Sequence, residues 1–152
     1  MTPTADLPEV LADIVEDFHA VNDQEKLQLL LELSRELPEL PARYGENYSQ
    51  EMEQVVECQS PLFLALDFDD EASTAELIFA APAEAPTTRG FASILQQGLS
   101  GLRYEQILQV PDDLHQRLGL AKAITPLRLR GMSAMLSRVK HNIRQHLAAA
   151  GS

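Results

Sequence analysis

The sequence predicts one α+β domain, and three observations carry that reading. Apolar residues recur at three- and four-residue spacing towards both ends of the chain. Between those stretches, two short runs rich in β-formers flank the turn Asp69-Asp70-Glu71. The length of 152 residues suits a single domain with a real core and is short for two. The expected order is ααβββααα, with helices covering a small antiparallel three-stranded sheet. One domain spans 1–152, and its ends, 1–5 and 149–152, are expected to fray.

The first helix is marked by Asp6 and Glu9 at capping-box spacing, by Pro8 in the first turn, and by the face Leu7, Leu11, Ile14 and Phe18. Asn22 with Glu25 repeats the start signal for a second helix. Leu27, Leu30, Leu31 and Leu37 form its apolar side until Pro38 and Pro41 stop it. The polar stretch 42–50 reads as a surface connection. Val55 and Val56 suggest a short strand. Leu62 to Phe68 forms a second strand with Leu62, Leu64, Leu66 and Phe68 inward, and Ala75 to Ala80 completes a hairpin.

After the loop 81–86, a third helix starts near Thr87 or Thr88. It carries Phe91, Ile94, Leu95 and Leu99 and ends at Gly101. Tyr104, Ile107 and Leu108 mark a shorter helix that stops at Pro111. A loop with Leu114, Leu118 and Leu120 follows. Thr125-Pro126 then opens the last helix, expected to run to about Leu147 with the stripe Met132, Met135, Leu136, Val139, Ile143 and Leu147.

The composition narrows the function. No run approaches the roughly 20 apolar residues of a membrane span, and the N-terminus lacks the basic start and apolar stretch of a signal peptide, so the expected location is the cytoplasm. The net charge of −11 is unevenly distributed. Through Thr88 three basic residues face 20 acids; from Arg89 onward nine face three, and no acid follows Asp113. An acidic body would repel a phosphate backbone from the basic helix, so nucleic acid is not an expected partner. Internal charge pairing and a partner-docking face fit the asymmetry better. His19, His115, His141 and His146 show no metal-ligand spacing, and no metal site is expected.

Cys58 is the only cysteine. It has no disulfide partner and too few companions for a metal site, so any chemistry it performs is that of a single nucleophilic or sulfur-carrying thiolate. Gln59-Ser60-Pro61 places it on a loop tip between two strands. The plainer alternative is a small buried core residue. Arg128 shares a helical face with positions 132, 135, 139 and 143, where its charge could stabilise a thiolate or merely snorkel along the core.

Four segments in one order resemble the SufE family: Leu37-Pro38-Glu39-Leu40, Glu57-Cys58-Gln59-Ser60, Ala85-Pro86-Thr87-Thr88-Arg89-Gly90, and Thr125 through Met135. The resemblance covers roughly Asn22 to the C-terminus and implies a SufE-like fold. It also implies a sulfur acceptor of iron–sulfur cluster assembly that takes persulfide sulfur from a cysteine desulfurase, stimulates it, and passes the sulfur to a cluster scaffold or other acceptor. Such a protein is an accessory with a covalent cysteine persulfide rather than a stand-alone enzyme. No cofactor is expected on this chain; pyridoxal phosphate belongs to the desulfurase. Cys58 matches the family's acceptor cysteine, and Arg128 its arginine near the start of the last helix. Glu84 lies where members carry an acidic residue. Two departures stand out: Glu57 where members usually have Gly, and Leu127-Arg128-Leu129-Arg130-Gly131-Met132 in place of Ser-Arg-x-x-Gly-Leu.

Glu57, Gln59, Ser60, Glu84 and Arg89 are the candidate partner contacts. Glu57 is expected to be solvated, Glu84 to be a loop or capping acid, and Arg89 to meet a partner or form an exposed salt bridge. A competing reading is a non-catalytic adaptor that binds a desulfurase or related sulfurtransferase and whose cysteine is incidental.

Overall fold

Two amphipathic helices lead the chain, each burying one face. α1 (Glu9–His19) buries Leu11, Ile14, Val15 and Phe18. α2 (Asp23–Glu36) buries Leu30, Leu33 and Ser34, so its inward stripe lies on the 30/33/34/37 edge, while Leu27 is exposed. The computed structural model describes residues 3–58 and 60–150, apart from the side chains of Glu46 and Asn47. Within that range the capping box on α2 is complete: Asn22 Oδ1 accepts from the Glu25 amide at 2.9 Å, and the Glu25 carboxylate accepts from the Asn22 amide at 3.3 Å. The box expected on α1 is absent. Pro8 occupies its N-cap without a side-chain bond, and Asp6 is turned away in the left-handed region at φ 63°.

The stretch 42–50, expected to be a surface connection, winds into a 3-10 segment, Ala42–Asn47, and the single turn α3 (Tyr48–Glu51), held by the Tyr48 ring edge-on to Phe63 at 5.5 Å. β1 (Glu53–Gln54), β2 (Phe63–Asp69), β3 (Thr74–Ala80) and β4 (Leu102–Arg103) form an antiparallel meander in the order β1-β2-β3-β4. β1 precedes the valines expected to form it. Val55 is instead a buried anchor and Val56 is 69% exposed. Asp69 Oδ1 caps the hairpin turn by accepting from the amides of Glu71 and Ala72. Leu64, Leu66 and Phe68 lie opposite Phe79, Leu77 and Ala75, so these pairs line one face of the sheet.

A fourth strand departs from the expected three. Gly101, at φ 85°, turns the chain out of α4 (Pro86–Leu99) and donates to the Ala75 carbonyl at 2.7 Å, seating Leu102 opposite Ala75. The short helices α5 (Tyr104–Leu108) and α6 (Leu114–Arg117) follow, the latter inside a stretch expected to be loop. α7 (Pro126–Ala150) runs past the expected end, and Leu147 on its outer part is 42% exposed. Residues 3–6 form turns. The helices and the sheet enclose one hydrophobic cluster, the core of a single α+β domain. Among the described residues no helix is long and apolar enough to cross a membrane.

Candidate functional site

The cysteine lies on a loop whose neck is closed by a backbone hydrogen bond. Val55 and Leu62 are both fully buried, and the Val55 amide donates to the Leu62 carbonyl at 2.9 Å. Between these anchors the Cys58 amide closes a turn onto the Val55 carbonyl at 3.1 Å, leaving Val56 in solvent and Cys58 half-buried. The thiol rests on the first turns of α7, where Sγ approaches the Gly131 carbonyl at 3.8 Å as a weak donor. A Cβ on residue 131 would stand 3.3 Å from that sulfur, so a glycine lets the loop settle here. We expect Gly131→Ala to displace the loop and speed Cys58 alkylation about threefold, as for about 0.7 kcal/mol of strain. A rate equal to wild type would show that the neighbouring backbone absorbs the methyl.

Cys58 opens into a cleft of about 90 Å³ lined also by Glu57, Ser60, Glu84, Phe91, Leu127 and Arg128, with the start of α4 at residues 85–88. That volume is well below the roughly 300 Å³ at which ligand pockets usually begin, and it suits an added sulfur atom and a few waters. Four of the expected residues, Glu57, Ser60, Glu84 and Arg128, therefore meet Cys58 in one place. Gln59 lies outside the described residues. Arg89 stands behind the cleft. Its guanidinium donates to the carbonyls of Ser34 (3.3 Å) and Ala81 (2.7 Å), so it clamps α4 to α2 and to the end of β3 and forms no ion pair with a described residue. α4 starts on Ala85 without a side-chain cap, which puts the positive end of a 14-residue helix at the cleft wall.

The resting thiol is protected. Burial, followed by the nearby Glu57 charge, pushes Cys58 up to about 11, with Arg138 pulling weakly the other way. At pH 7 the resting protein would then carry about a hundredfold less thiolate than a thiol without that shift. Alkylation of the native protein should therefore keep accelerating with pH to about 11, whereas the unfolded chain levels off near 8.5. A native plateau near 8.5 would mean that the loop rests mostly open, with the sulfur out of its buried position.

The cation that acts on the resting sulfur is Arg138, two turns along α7 from Gly131, and periodicity alone did not single it out. Its Nε (3.2 Å) and Nη2 (2.7 Å) hold one oxygen of Glu57, and Nη1 holds Glu53 on β1. Glu53 also accepts from Asn142 at 3.0 Å. Glu57, expected to be solvated, is thus ion-paired, and the arginine keeps its carboxyl below the usual range. Arg128 lies at the cleft mouth with its side chain exposed, and its guanidinium has no ion-pair partner among the described residues. The expected internal charge pairing is partly realised, since Arg138 joins the basic half to Glu53 and Glu57. Among the described residues no group of three or more His, Cys, Asp or Glu side chains is placed to hold a metal ion.

Residues 12–143 match the sequence profile of SufE, described as an Fe-S metabolism associated domain. The chain belongs to the SufE family. An uncharacterized SufE-like protein of Mycobacterium tuberculosis is 55% identical over 145 residues, which cover 95% of this chain and 99% of the relative. SufE-like protein 1, chloroplastic/mitochondrial, of Arabidopsis thaliana is 29% identical over 137 residues, 90% of this chain and 35% of that longer protein. The solution structure of a hypothetical protein from Thermus thermophilus superposes with a TM-score of 0.78 at 36% identity, covering 93% of this chain and 98% of that one. SufE membership assigns the chain a role in iron–sulfur metabolism.

Proposed function

We propose that this SufE protein accepts sulfur from a cysteine desulfurase onto Cys58, stimulates that enzyme, and hands the sulfur on for cluster assembly, in the cytoplasm. The observation that carries this reading is a lone thiol at a loop tip between two buried anchors, half-buried over a cleft able to shelter one more sulfur. In the transfer the Cys58 thiolate attacks the outer sulfur of the donor persulfide. The new S–S bond forms on Cys58, the donor's S–S bond breaks, and the donor cysteine leaves as a thiolate, so no oxidant is consumed. Pyridoxal phosphate stays with the desulfurase.

Protection and reactivity are then separate states of one loop. Tucked in, the sulfur is neutral and shielded from oxidation. Carried outward, it loses the burial that suppresses its ionisation and gains roughly 100-fold in thiolate at neutral pH. Arg128, exposed at the mouth, supplies positive charge to the extended sulfur or to the partner. Arg128→Met should slow acceptance about tenfold in a single-turnover mass assay and leave thermal unfolding unchanged, because the side chain is exposed. Unaltered transfer would assign Arg128 to solubility alone. Failure of the wild type to gain sulfur from any cytoplasmic desulfurase would favour the adaptor.

A further inference from the structure

The loop that carries Cys58 has few attachments beyond its neck. Among the described residues its tip makes two polar contacts with the body: the weak thiol donation to Gly131 at 3.8 Å and the Glu57–Arg138 ion pair. The second is much the stronger, because two nitrogens of one planar guanidinium hold the carboxylate immediately before the cysteine. Arg138 is itself held in place, anchored through Nη1 to Glu53, which Asn142 also grips. Its side chain is only 25% exposed, whereas that of Glu57 is 48% exposed. The pair is thus a fixed post on α7 and β1 with a movable, solvent-reachable carboxylate on the loop. Because Glu57 directly precedes Cys58 in the chain, a held Glu57 restrains outward movement of the cysteine.

We propose that Arg138 is a positioning residue for Cys58: by holding Glu57 it latches the loop tip against α7 and sets how often the thiol is presented outward. A half-exposed pair of this kind is weak enough for a docking partner to break and strong enough to bias the resting loop. The consequence for sulfur protection rests on the carrier reading above. The latch itself does not, because loop opening can be read without a partner.

Iodoacetamide alkylation of the full-length protein at fixed pH and salt separates a latch from a simple charge effect. If Arg138 acted only as a nearby cation, its removal would raise the thiol's ionisation threshold and slow alkylation. A latch predicts the reverse: Arg138→Met should react about fivefold faster, with Arg138→Lys, which keeps the charge and loses the fork, between the two. Hydrogen–deuterium exchange over residues 55–62 is blind to thiol ionisation and should accelerate by a similar factor in Arg138→Met and in Glu57→Gln. Glu57→Gln alters a side chain at the surface and serves if Arg138→Met fails to fold. The two changes combined should open the loop no further than either alone. A folded Arg138→Met that alkylates at or below the wild-type rate, or loop exchange unchanged in Glu57→Gln, overturns the latch. Exchange and alkylation that behave as expected in a protein gaining no sulfur from a desulfurase would retain the latch and reject the carrier function.

Discussion

Cys58→Ser is expected to abolish sulfur acceptance outright while leaving the fold intact. Incubation of wild type with a cysteine desulfurase and cysteine should add one sulfur atom, visible by intact mass and removed by a thiol reductant. The serine variant should gain none. No other thiol exists in the chain to substitute for it, and a serine hydroxyl cannot attack a persulfide sulfur at neutral pH at a comparable rate. Structure should survive because Cys58 is half-buried on a loop, and serine replaces one atom near a carbonyl that already serves as acceptor at 3.8 Å. Stimulation of the desulfurase should fall with acceptance. Sulfur found on the serine variant would place the modification elsewhere and remove Cys58 from the mechanism.

The largest loss of stability from a single added methyl is expected at Gly90. An alanine Cβ there would lie 2.5 and 2.7 Å from the Leu30 side chain and 2.8 Å from the Leu30 carbonyl oxygen. The leucine can turn aside; the backbone oxygen cannot, so α2 and α4 must separate. Overpacking of this kind costs about 3 kcal/mol, offset by about 1 kcal/mol from alanine's better helix propensity. The net loss should lower the melting temperature by about 4 to 8 °C for a chain of this size. Leu30→Ala in the Gly90→Ala background should restore little, because the carbonyl clash persists. Sulfur acceptance should weaken as well, since Arg89 and residues 85–88 move with α4 and those residues form the cleft wall. A melting temperature equal to wild type would show that the two helices slide apart at no cost.

Gly90 also shows where pattern reading stops. The segment Ala85 to Gly90 stands out in the sequence, yet its meaning is a contact: Gly90 permits α2 to touch α4, and Arg89 ties the joint with two carbonyl bonds. The same contact explains why α2 buries Leu30 and Leu33 while Leu27 remains in solvent. On a leucine-rich helix several faces are apolar enough, and the neighbour's shape selects one. β4 is invisible to pattern reading because two residues cannot display an alternation, and it exists only because Gly101 turns the chain onto Ala75. Residue preference sets β1 two residues late because valine favours strands, although Val55 serves as a buried anchor and the polar pair Glu53-Gln54 makes the ladder.

At the site, the lone cysteine, its break between strands and the order of four short segments were all legible in the chain, because each is a local matter of residue type and turn chemistry. The mixed helix and sheet class was legible for the same reason, since apolar spacing records which face a segment will bury. Which charges meet the sulfur was not. Arg138 and Glu57 are separated by 81 positions, and Gly131 and Cys58 by 73; only the packing of α7 along the sheet brings them within a few ångströms. Local preference is written residue by residue, whereas electrostatic environment depends on distances that exist only once the core has closed.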